Sequence, residues 1–456
     1  MYIMLKNVIG KIRDALNGSK YERGVYLVGG IVRDEIMGLP ANDDIDVVLE
    51  GDAGELADFI CEKGLSCHRP VTYPKFGTAM VTIDGCNLEI VGARKESYAS
   101  DSRKPSTETG TLKDDIYRRD FTINTLLKNL HSGELLDITG LGLDDISKGI
   151  IRTPQEPART FEDDPLRMLR AVRFASRFGF EIAPQTYKAI IESAHRLSII
   201  SGERIRDEFI KIINGNNPIL GLNMLRETKL LDEFAPELSA MYGVWQNEFH
   251  LYDVWEHSLR ALINLPSNAD IMLKLAALFH DSGKPSTKTT DEDEHIHFYE
   301  HQKVSEKIAR DIMHRLRFSN AEIDEVSFLV GMHMRVGQYN SKWTNAAVRR
   351  LVRDSGEHLN DLILLTEADR LAANTKLLTV DLERLDKHIK SATKKLKGGI
   401  KSPLDGKEII ELTGITEGPE IGKLKKLLEE EVIEGNLLPD DKEKAKNWVM
   451  RIKQER

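Results

Sequence analysis

The most constraining feature of the sequence is the segment YLVGGIVRDEIMGLPANDDIDVVLEG, which begins at Tyr26. An apolar run ends in a Gly-Gly pair, a helix start follows, and after a polar loop a second apolar run carries Asp44 and Asp46. Side chains two apart on a strand point to the same face, so both carboxylates face one side while Ile45 faces the core. Mg²⁺ prefers such oxygen ligands, and the strand therefore predicts a site for a pair of Mg²⁺ ions.

Further residues are expected around this pair. Glu89, in the run NLEIVGA, is a candidate third carboxylate on a neighbouring strand. Gly29 and Gly30 allow the backbone to approach a triphosphate closely. Arg33, near the helix start, is expected to add positive charge to the anion site that a helix N-terminus provides.

The pattern of the chain changes after its first third. At 456 residues the chain exceeds what one hydrophobic core usually organises. Short apolar and alternating runs up to about residue 151 predict strands mixed with helices, and the long amphipathic periods that follow predict helices almost throughout. We predict segments at 1–152, 153–245, 246–395 and 396–456.

Together with this front segment, two more motifs carry a family resemblance. Arg118–Asn124 reads RRDFTIN, and Asp163–Arg167 reads DDPLR before MLRAVRFA. With GGIVRD and DDID, they resemble the class II CCA-adding enzymes and bacterial poly(A) polymerases of the polymerase-β nucleotidyltransferase superfamily. The resemblance implies an α+β fold: a polymerase-β-like head with a mixed sheet, then an all-α neck and body, an HD domain and a tail. It also implies that Arg119 contacts the incoming nucleotide and that Asp120 begins the sugar-recognition segment.

The DDPLR motif predicts how a base is selected without a nucleic-acid template. Asp164 and Arg167, three apart, are expected on one face of a helix, where they offer an acceptor and several donors to a base edge. Cytosine and adenine both place an amine beside an accepting ring nitrogen, whereas uracil and guanine reverse the pattern. Arg170 and Arg173 are expected to continue this face toward phosphates. The family usually has Glu where this chain has Asp163.

A polar loop and a histidine block complete the motifs. The polar segment between Arg94 and Arg118 is similar to the family's flexible loop, and its full length favours use of ATP.

The histidine block resembles the HD phosphohydrolase pattern and predicts a divalent metal bound by imidazole and carboxylate groups, with Lys284 placed to receive a phosphate. Its residues are His257, His280, Asp281, His301, His333 and Asp369. A retained helical scaffold with satisfied core histidines is the alternative.

Composition narrows the class of protein. The net charge of −9 excludes a surface coated in positive charge but not a local RNA-binding patch. Because no run of about 18 apolar residues occurs, we expect a cytoplasmic protein with no membrane partner. Cys61, Cys67 and Cys86 include no CxxC pair, and we expect them to be reduced.

These observations converge on one hypothesis with two rivals. The resemblance implies an enzyme that adds CMP, CMP and AMP to the tRNA 3′ end from CTP and ATP, with Mg²⁺ as cofactor and tRNA as partner. An A-adding enzyme or a poly(A) polymerase has the same motifs. An HD metal-dependent phosphohydrolase, with its own divalent metal, is the rival from a different class.

Overall fold

The computed structural model describes residues 2–40, 44–66, 68–97, 106–377, 380–396, 399–415 and 418–454. It forms two compact units, Met1–Pro236 and Glu237–Arg456. Cys67 and residues 98–105 of the polar loop lie outside the described residues. Cys61 and Cys86 are free cysteines, as expected. The finer division into four segments stays a prediction.

The first half of unit 1 mixes strands and helices. Its elements are α1 (Tyr2–Leu16), β1 (Val25–Val28), α2 (Gly30–Ile36), β2 (Asp44–Leu49), α3 (Ala53–Glu62), β3 (Val71–Tyr73), β4 (Thr78–Ile83), β5 (Cys86–Gly92), β6 (Arg94–Ser97), β7 (Ser106–Thr109), α4 (Leu112–Tyr117), β8 (Leu127–Asn129), β9 (Leu135–Leu136) and α5 (Gly142–Lys148). Among the described residues, seven strands form one sheet in the order β3-β4-β5-β2-β1-β8-β9. The β2–β5 pair is parallel and β1–β2 is antiparallel, so the predicted mixed sheet is confirmed.

The sheet separates two apolar layers. One face packs against α1 and α3, with Ile12, Ile45 and Leu56 among its buried side chains. The other face carries a smaller cluster that includes Val48 and Ile116. Because side chains alternate along a strand, the buried Ile45 fixes which face of β2 carries Asp44 and Asp46.

Unit 1 continues mainly as helices. They are α6 (Pro157–Asp163), α7 (Leu166–Phe178), α8 (Pro184–Ser193), α9 (Gly202–Ile213), α10 (Pro218–Glu227) and α11 (Leu230–Phe234), and α12 (Pro236–Ser239) contains the division between the units. The predicted all-α character has one exception here, since β10 (Ile150–Ile151) pairs in parallel with β11 (Glu181–Ile182). Helix α7 packs against both α9 and α10.

The described residues of unit 2 form helices and one short hairpin. Its helices are α13 (Val254–Asn264), α14 (Ile271–Phe279), α15 (Lys284–Thr287), α16 (His301–Arg315), α17 (Asn320–Gly337), α18 (Asn345–Ser355), α19 (Leu359–Ala372), α20 (Leu382–Thr393), α21 (Gly406–Thr413), α22 (Pro419–Glu434) and α23 (Lys442–Gln454). The hairpin joins β12 (Lys288–Thr290) to β13 (Ile296–Phe298) and was not predicted from the sequence. Helices α16 and α17 pack together, as do α13 and α19, and a separate apolar cluster unites α21, α22 and α23.

Across the described parts of the chain, every helix is too short or too polar to cross a lipid bilayer.

The position of Ile45 predicts its contribution to stability. Ile45 is fully buried, so Ile45→Ala should lower the free energy of unfolding of unit 1 by about 2–5 kcal/mol, because it leaves a cavity in a packed core. Calorimetry should show the unit 1 transition at a lower temperature. The matched control is Ile199→Ala at a residue that is 46% exposed, which should shift the transition far less. Equal shifts in both variants would contradict the assigned core.

Candidate active site and a second polar centre

Three carboxylates meet at the centre of the sheet. In the parallel β2–β5 ladder Asp46 is paired with Glu89 and Asp44 with Asn87. Burial raises the pKa of Asp46 to about 6, helped by the negative charges of Glu89 and Asp44 and opposed by Arg119. The ladder therefore holds like charges side by side, and the three carboxylates together carry negative charge that their protein neighbours do not fully balance.

The turn that precedes α2 lies against this group. Gly29 has φ of 75°, in the region that favours glycine, and it is the N-cap of α2. A Cβ atom at Gly29 would lie 3.6 Å from Asp46 Oδ2 and 3.6 Å from Arg119 Nη1. The glycine turn, one carboxylate and one guanidinium therefore converge.

Asp115 holds the two arginines of the RRDFTIN motif. Its buried carboxylate accepts a hydrogen bond from Arg119 Nη2 at 2.9 Å and also binds Arg118. Burial alone would raise the pKa of Asp115, but Arg119 and Arg118 outweigh burial and lower it. Asp115, which the sequence analysis missed, thus fixes the side chain of Arg119 beside Asp46.

Asp120 connects this motif to α7. Its Oδ2 accepts from Arg170 Nε at 2.9 Å and Nη2 at 2.6 Å, and its Oδ1 accepts from Phe121 N at 2.8 Å and Asn124 Nδ2 at 2.9 Å. Although burial opposes ionisation, Arg170 holds the pKa of Asp120 well below its usual range. Arg170 is thus bound to a protein carboxylate.

Arg33 does not face outward at the helix start. It is 3% exposed, donates to Asp34 Oδ1 at 2.7 Å and to Asn124 Oδ1 at 2.6 Å, and its guanidinium lies 5.2 Å and 4.8 Å from the ring centres of Phe174 and Phe178. Burial lowers the pKa of Arg33, against the effect of Asp34. The structure places this arginine between α2 and α7.

The base-reading motif differs from the expected single helix. Helix α6 ends at Asp163, Asp164 has extended backbone angles (φ −147°, ψ 102°), and α7 begins at Leu166. The expectation that Asp164 and Arg167 share one helix face is therefore wrong. The physical reason is Pro165, because a proline disfavours helical angles in the residue before it. The Arg167 amide still donates to the Asp164 carbonyl at 3.0 Å, which keeps the two residues in one turn.

The side chains of this turn have protein partners. Arg167 is 8% exposed and donates to the carbonyls of Arg118 at 2.7 Å and Thr160 at 3.4 Å. Gln155 Nε2 donates to Asp163 Oδ2 at 3.4 Å. Asp164 accepts from Arg204 Nη2 at 2.8 Å.

The last of these contacts comes from α9, which carries Arg204. The same helix carries Glu208, whose Oε2 lies 2.7 Å from Arg173 Nε. Arg204 and Glu208 belong to the segment ERIRDEF, whose residues show no chemical signal in the sequence because their partners are far away along the chain.

Unit 2 contains a second polar centre that the histidine block predicted. His257 Nε2 lies 2.9 Å from Asp369 Oδ1 and 3.3 Å from His280 Nε2. On the other side, His301 Nε2 lies 3.3 Å from Asp281 Oδ1 and 3.3 Å from His333 Nε2. Among the described residues, three overlapping groups in this centre have potential ligand atoms within 4.8 Å of one another: His257, His280 and Asp369; Asp281, His301 and His333; and His250, His257 and Asp281.

Opposite charges balance within this centre. Burial alone would lower the pKa of His280, but Asp281 and Asp369 raise it to about 10. Burial, with the charge of His280, lowers the pKa of His333 to about 3. Lys284 Nζ donates to Asp281 Oδ2 at 2.7 Å.

A cavity of about 420 Å³ opens beside the centre. Asp281, Lys284, His301 and Asp369 line it, together with His250. His250 also forms a ligand group with His257 and Asp281, and the sequence analysis missed it. The cavity brings part of the histidine block and the predicted phosphate-binding lysine to one surface.

Comparison with known proteins agrees with this architecture. The Poly A polymerase head domain matches residues 25–152, the probable RNA and SrmB-binding site of polymerase A matches 179–242, and the HD domain matches 249–374. The Bacillus stearothermophilus CCA-adding enzyme in complex with CTP has a TM-score of 0.70 at 23% identity, with 99% of this chain and 98% of that chain covered. The two proteins therefore share a fold.

Sequence relatives establish the family. An A-adding tRNA nucleotidyltransferase of Deinococcus radiodurans is 33% identical over 70% of this chain and 75% of its own length. A CC-adding tRNA nucleotidyltransferase of Thermus thermophilus is 31% identical over 75% of this chain and 77% of its own. With its polymerase head, RNA-binding segment and HD domain in that order, the chain belongs to the family of tRNA nucleotidyltransferases and poly(A) polymerases, and it is a nucleotidyltransferase.

Proposed function

We propose that this nucleotidyltransferase adds CMP, CMP and AMP to the 3′ end of tRNA, taking nucleotides from CTP and ATP without a nucleic-acid template. The observation that carries the proposal is the convergence of the Asp46 carboxylate, the Gly29 turn and Arg119. This arrangement suits a triphosphate, whose phosphates need close backbone approach and positive charge.

The carboxylates fit the divalent metal dependence that the family implies. Asp44, Asp46 and Glu89 supply only oxygen ligands, which suits Mg²⁺, and a dication would balance the negative charges that these carboxylates bring together. When bound, Mg²⁺ would favour ionisation of the attacking hydroxyl and neutralise the triphosphate as pyrophosphate leaves. We assign its binding to Asp44 and Asp46, with Glu89 as the third carboxylate.

The chain's own residues would orient the nucleotide. Arg119, held by Asp115, faces the Gly29 turn and would bind phosphate oxygens. The Asp120 segment would contact the sugar. Gly30 extends the close backbone approach, and the buried Arg33, held by Asn124, would add its positive charge to this anion site.

Asp164 and Arg167 would select the base. Asp164 accepts the amine hydrogen of cytosine or adenine, and Arg167 donates to the neighbouring ring nitrogen. Arg167 uses two of its five N–H groups on the backbone carbonyls, so donors remain. Arg170 and Arg173 lie next along α7, where they are bound to Asp120 and Glu208. Their first role would be to hold the turn in place, and binding of phosphate would be their second.

One experiment separates complete CCA addition from its relatives. The pure protein is incubated with Mg²⁺ and each NTP on tRNAs that lack CCA, end in C, end in CC, or carry the whole CCA. We expect CTP to extend the first two and ATP only the third. Extension of the CC form alone identifies an A-adding enzyme, and many added adenosines identify a poly(A) polymerase. Addition of C alone identifies a CC-adding enzyme.

Replacement of the carboxylates should abolish nucleotide addition. Asp44→Asn or Asp46→Asn removes a charged ligand but little volume, so addition should fall below detection while tRNA binding persists. Asp58→Asn, at an exposed residue of α3, is the control and should retain full activity. Primer extension and filter binding measure the two properties. Near-normal turnover in either variant would contradict the metal-binding role.

Asp46→Asn should also stabilise the metal-free protein. Because folding raises the pKa of Asp46 from 3.8 to about 6, the cost of ionising this carboxylate in the folded protein grows between these two values and is complete at higher pH. The variant should therefore gain about 1–3 kcal/mol at pH 8, a gain that disappears as the pH falls from 6 to 4. Added Mg²⁺ should stabilise the wild type and not the variant. Thermal unfolding at several pH values checks both effects, and a Mg²⁺ response that survives in the variant would count against the assignment.

Replacement of Asp164 should relax base selection. Asp164→Ala removes the carboxylate that disfavours the carbonyl edges of uracil and guanine, so discrimination should fall about ten- to a hundredfold. Incorporation of the four NTPs on a tRNA lacking CCA measures this. Asp207→Ala, on an exposed carboxylate of α9, is the control. A uniform loss for all four nucleotides with the CTP and ATP preference intact would show that selection lies elsewhere.

A second candidate function rests on the polar centre of unit 2. We propose that it binds divalent metal and hydrolyses a phosphoester. Mixed imidazole and carboxylate donors fit a transition metal such as Mn²⁺, and Asp281 belongs to two of the three ligand groups and lies 3.3 Å from His280 of the third. Metal bound there would activate water and polarise a phosphoryl oxygen. His257, His280, Asp281 and Asp369 are the principal ligands, and Lys284 would bind the phosphate.

Loss of this centre should leave nucleotide addition intact. His280→Ala with Asp281→Ala should remove bound metal, measured by elemental analysis, and hydrolysis of p-nitrophenyl phosphate or a bis-p-nitrophenyl ester. The matched control is His314→Ala with Asp311→Ala, an exposed pair on α16, which should retain both properties. Unchanged metal content in the first variant would make the centre structural.

A further inference from the structure

Arg204 makes the main side-chain contact to Asp164. Its Nη2 donates to Asp164 Oδ2 at 2.8 Å and its Nη1 to Oδ1 at 3.4 Å. The Leu166 amide also donates to Oδ1, at 3.1 Å. The Asp164 side chain is 23% exposed, so the bound carboxylate still faces solvent.

These contacts leave one acceptor position of the Asp164 carboxylate open. A carboxylate offers about four acceptor positions, two on each oxygen. Leu166 and Arg204 together use both positions of Oδ1, and Arg204 uses one of Oδ2. The remaining position is on Oδ2. Because Asp164 lies at the break between α6 and α7, outside regular helix, Arg204 supplies the orientation that a helix would otherwise impose.

We propose that Arg204 is a positioning residue for nucleotide selection. It holds the Asp164 carboxylate so that its single open acceptor position meets the amine hydrogen of cytosine or adenine, without itself contacting the base. This inference rests on the proposed base-reading role of Asp164. The paired planar geometry matters as well as the charge, because a guanidinium donates two parallel hydrogen bonds and a lysine only a point contact.

Selectivity measurements test the inference. We compare the ratio of kcat/KM for CTP to that for UTP in wild type, Arg204→Ala, Arg204→Lys, Asp164→Ala and the Arg204→Ala/Asp164→Ala double variant. Arg204→Ala should lower the ratio about tenfold, mainly by raising KM for CTP, and Arg204→Lys should lower it less. The double variant should be no less selective than Asp164→Ala alone, since Arg204 acts only through that carboxylate.

The control variant is Arg206→Ala on the same helix, where Arg206 pairs with Asp207, and it should leave the ratio unchanged. Equal loss for all nucleotides in both Arg204 variants, with the ratio intact, would reduce Arg204 to a packing residue and overturn the inference. Faster CTP addition by Arg204→Ala would also overturn it, because Arg204 would then compete with the base. If Asp164→Ala itself leaves the ratio unchanged, base reading by Asp164 fails and the inference with it, whereas failure of the Arg204 variants alone leaves base reading intact.

Discussion

The buried carboxylate of Asp120 holds together the parts of unit 1 that would handle phosphate, sugar and base. Its Oδ2 accepts two hydrogen bonds from Arg170 of α7, and its Oδ1 accepts one from the side-chain amide of Asn124. The side-chain oxygen Oδ1 of Asn124 in turn accepts a hydrogen bond from Arg33, next to the glycine turn. Removal of one partner from such a buried pair leaves an uncompensated charge and costs about 3–5 kcal/mol. The turn, the RRDFTIN segment and α7 are thus bound through one anion.

The sequence predicted the elements of this site better than their contacts. Alternation along DIDVVL was enough to separate Ile45 from its neighbouring carboxylates. The change in periodicity separated the mixed front part of the chain from its helical remainder, and the family resemblance implied the class of fold. Arg33 is an example of a contact that the sequence could not predict. A positively charged residue at a helix start indicates an anion site, yet the stacked rings of Phe174 and Phe178 bury it, and nothing local in the sequence shows which charged residue meets an aromatic surface.

Two other differences have local causes. The three-residue spacing of Asp164 and Arg167 predicts a shared helix face only without the effect of Pro165, which disfavours helical angles at Asp164 and ends α6 at Asp163. The β10–β11 and β12–β13 pairs were missed because strands of two or three residues are too short to show a period. The pairing of Arg204 with Asp164 joins residues 40 apart in sequence, and each looks like an ordinary solvated charge by itself.

The two polar centres gather their ligands by opposite means. In unit 1 the ladder between β2 and β5 holds like charges together, and the pKa of Asp46 is raised first by burial and then by the charges of Glu89 and Asp44. In unit 2 imidazoles and carboxylates attract one another, since Asp281 and Asp369 raise the pKa of His280. Without a cation, the carboxylates of unit 1 therefore stay together only because the backbones of β2 and β5 are paired. In the centre of unit 2, hydrogen bonds between imidazoles and carboxylates already compensate the negative charge. The sheet of unit 1 therefore holds like charges together at a cost in free energy, and the packing of apolar side chains around Ile45 offsets that cost.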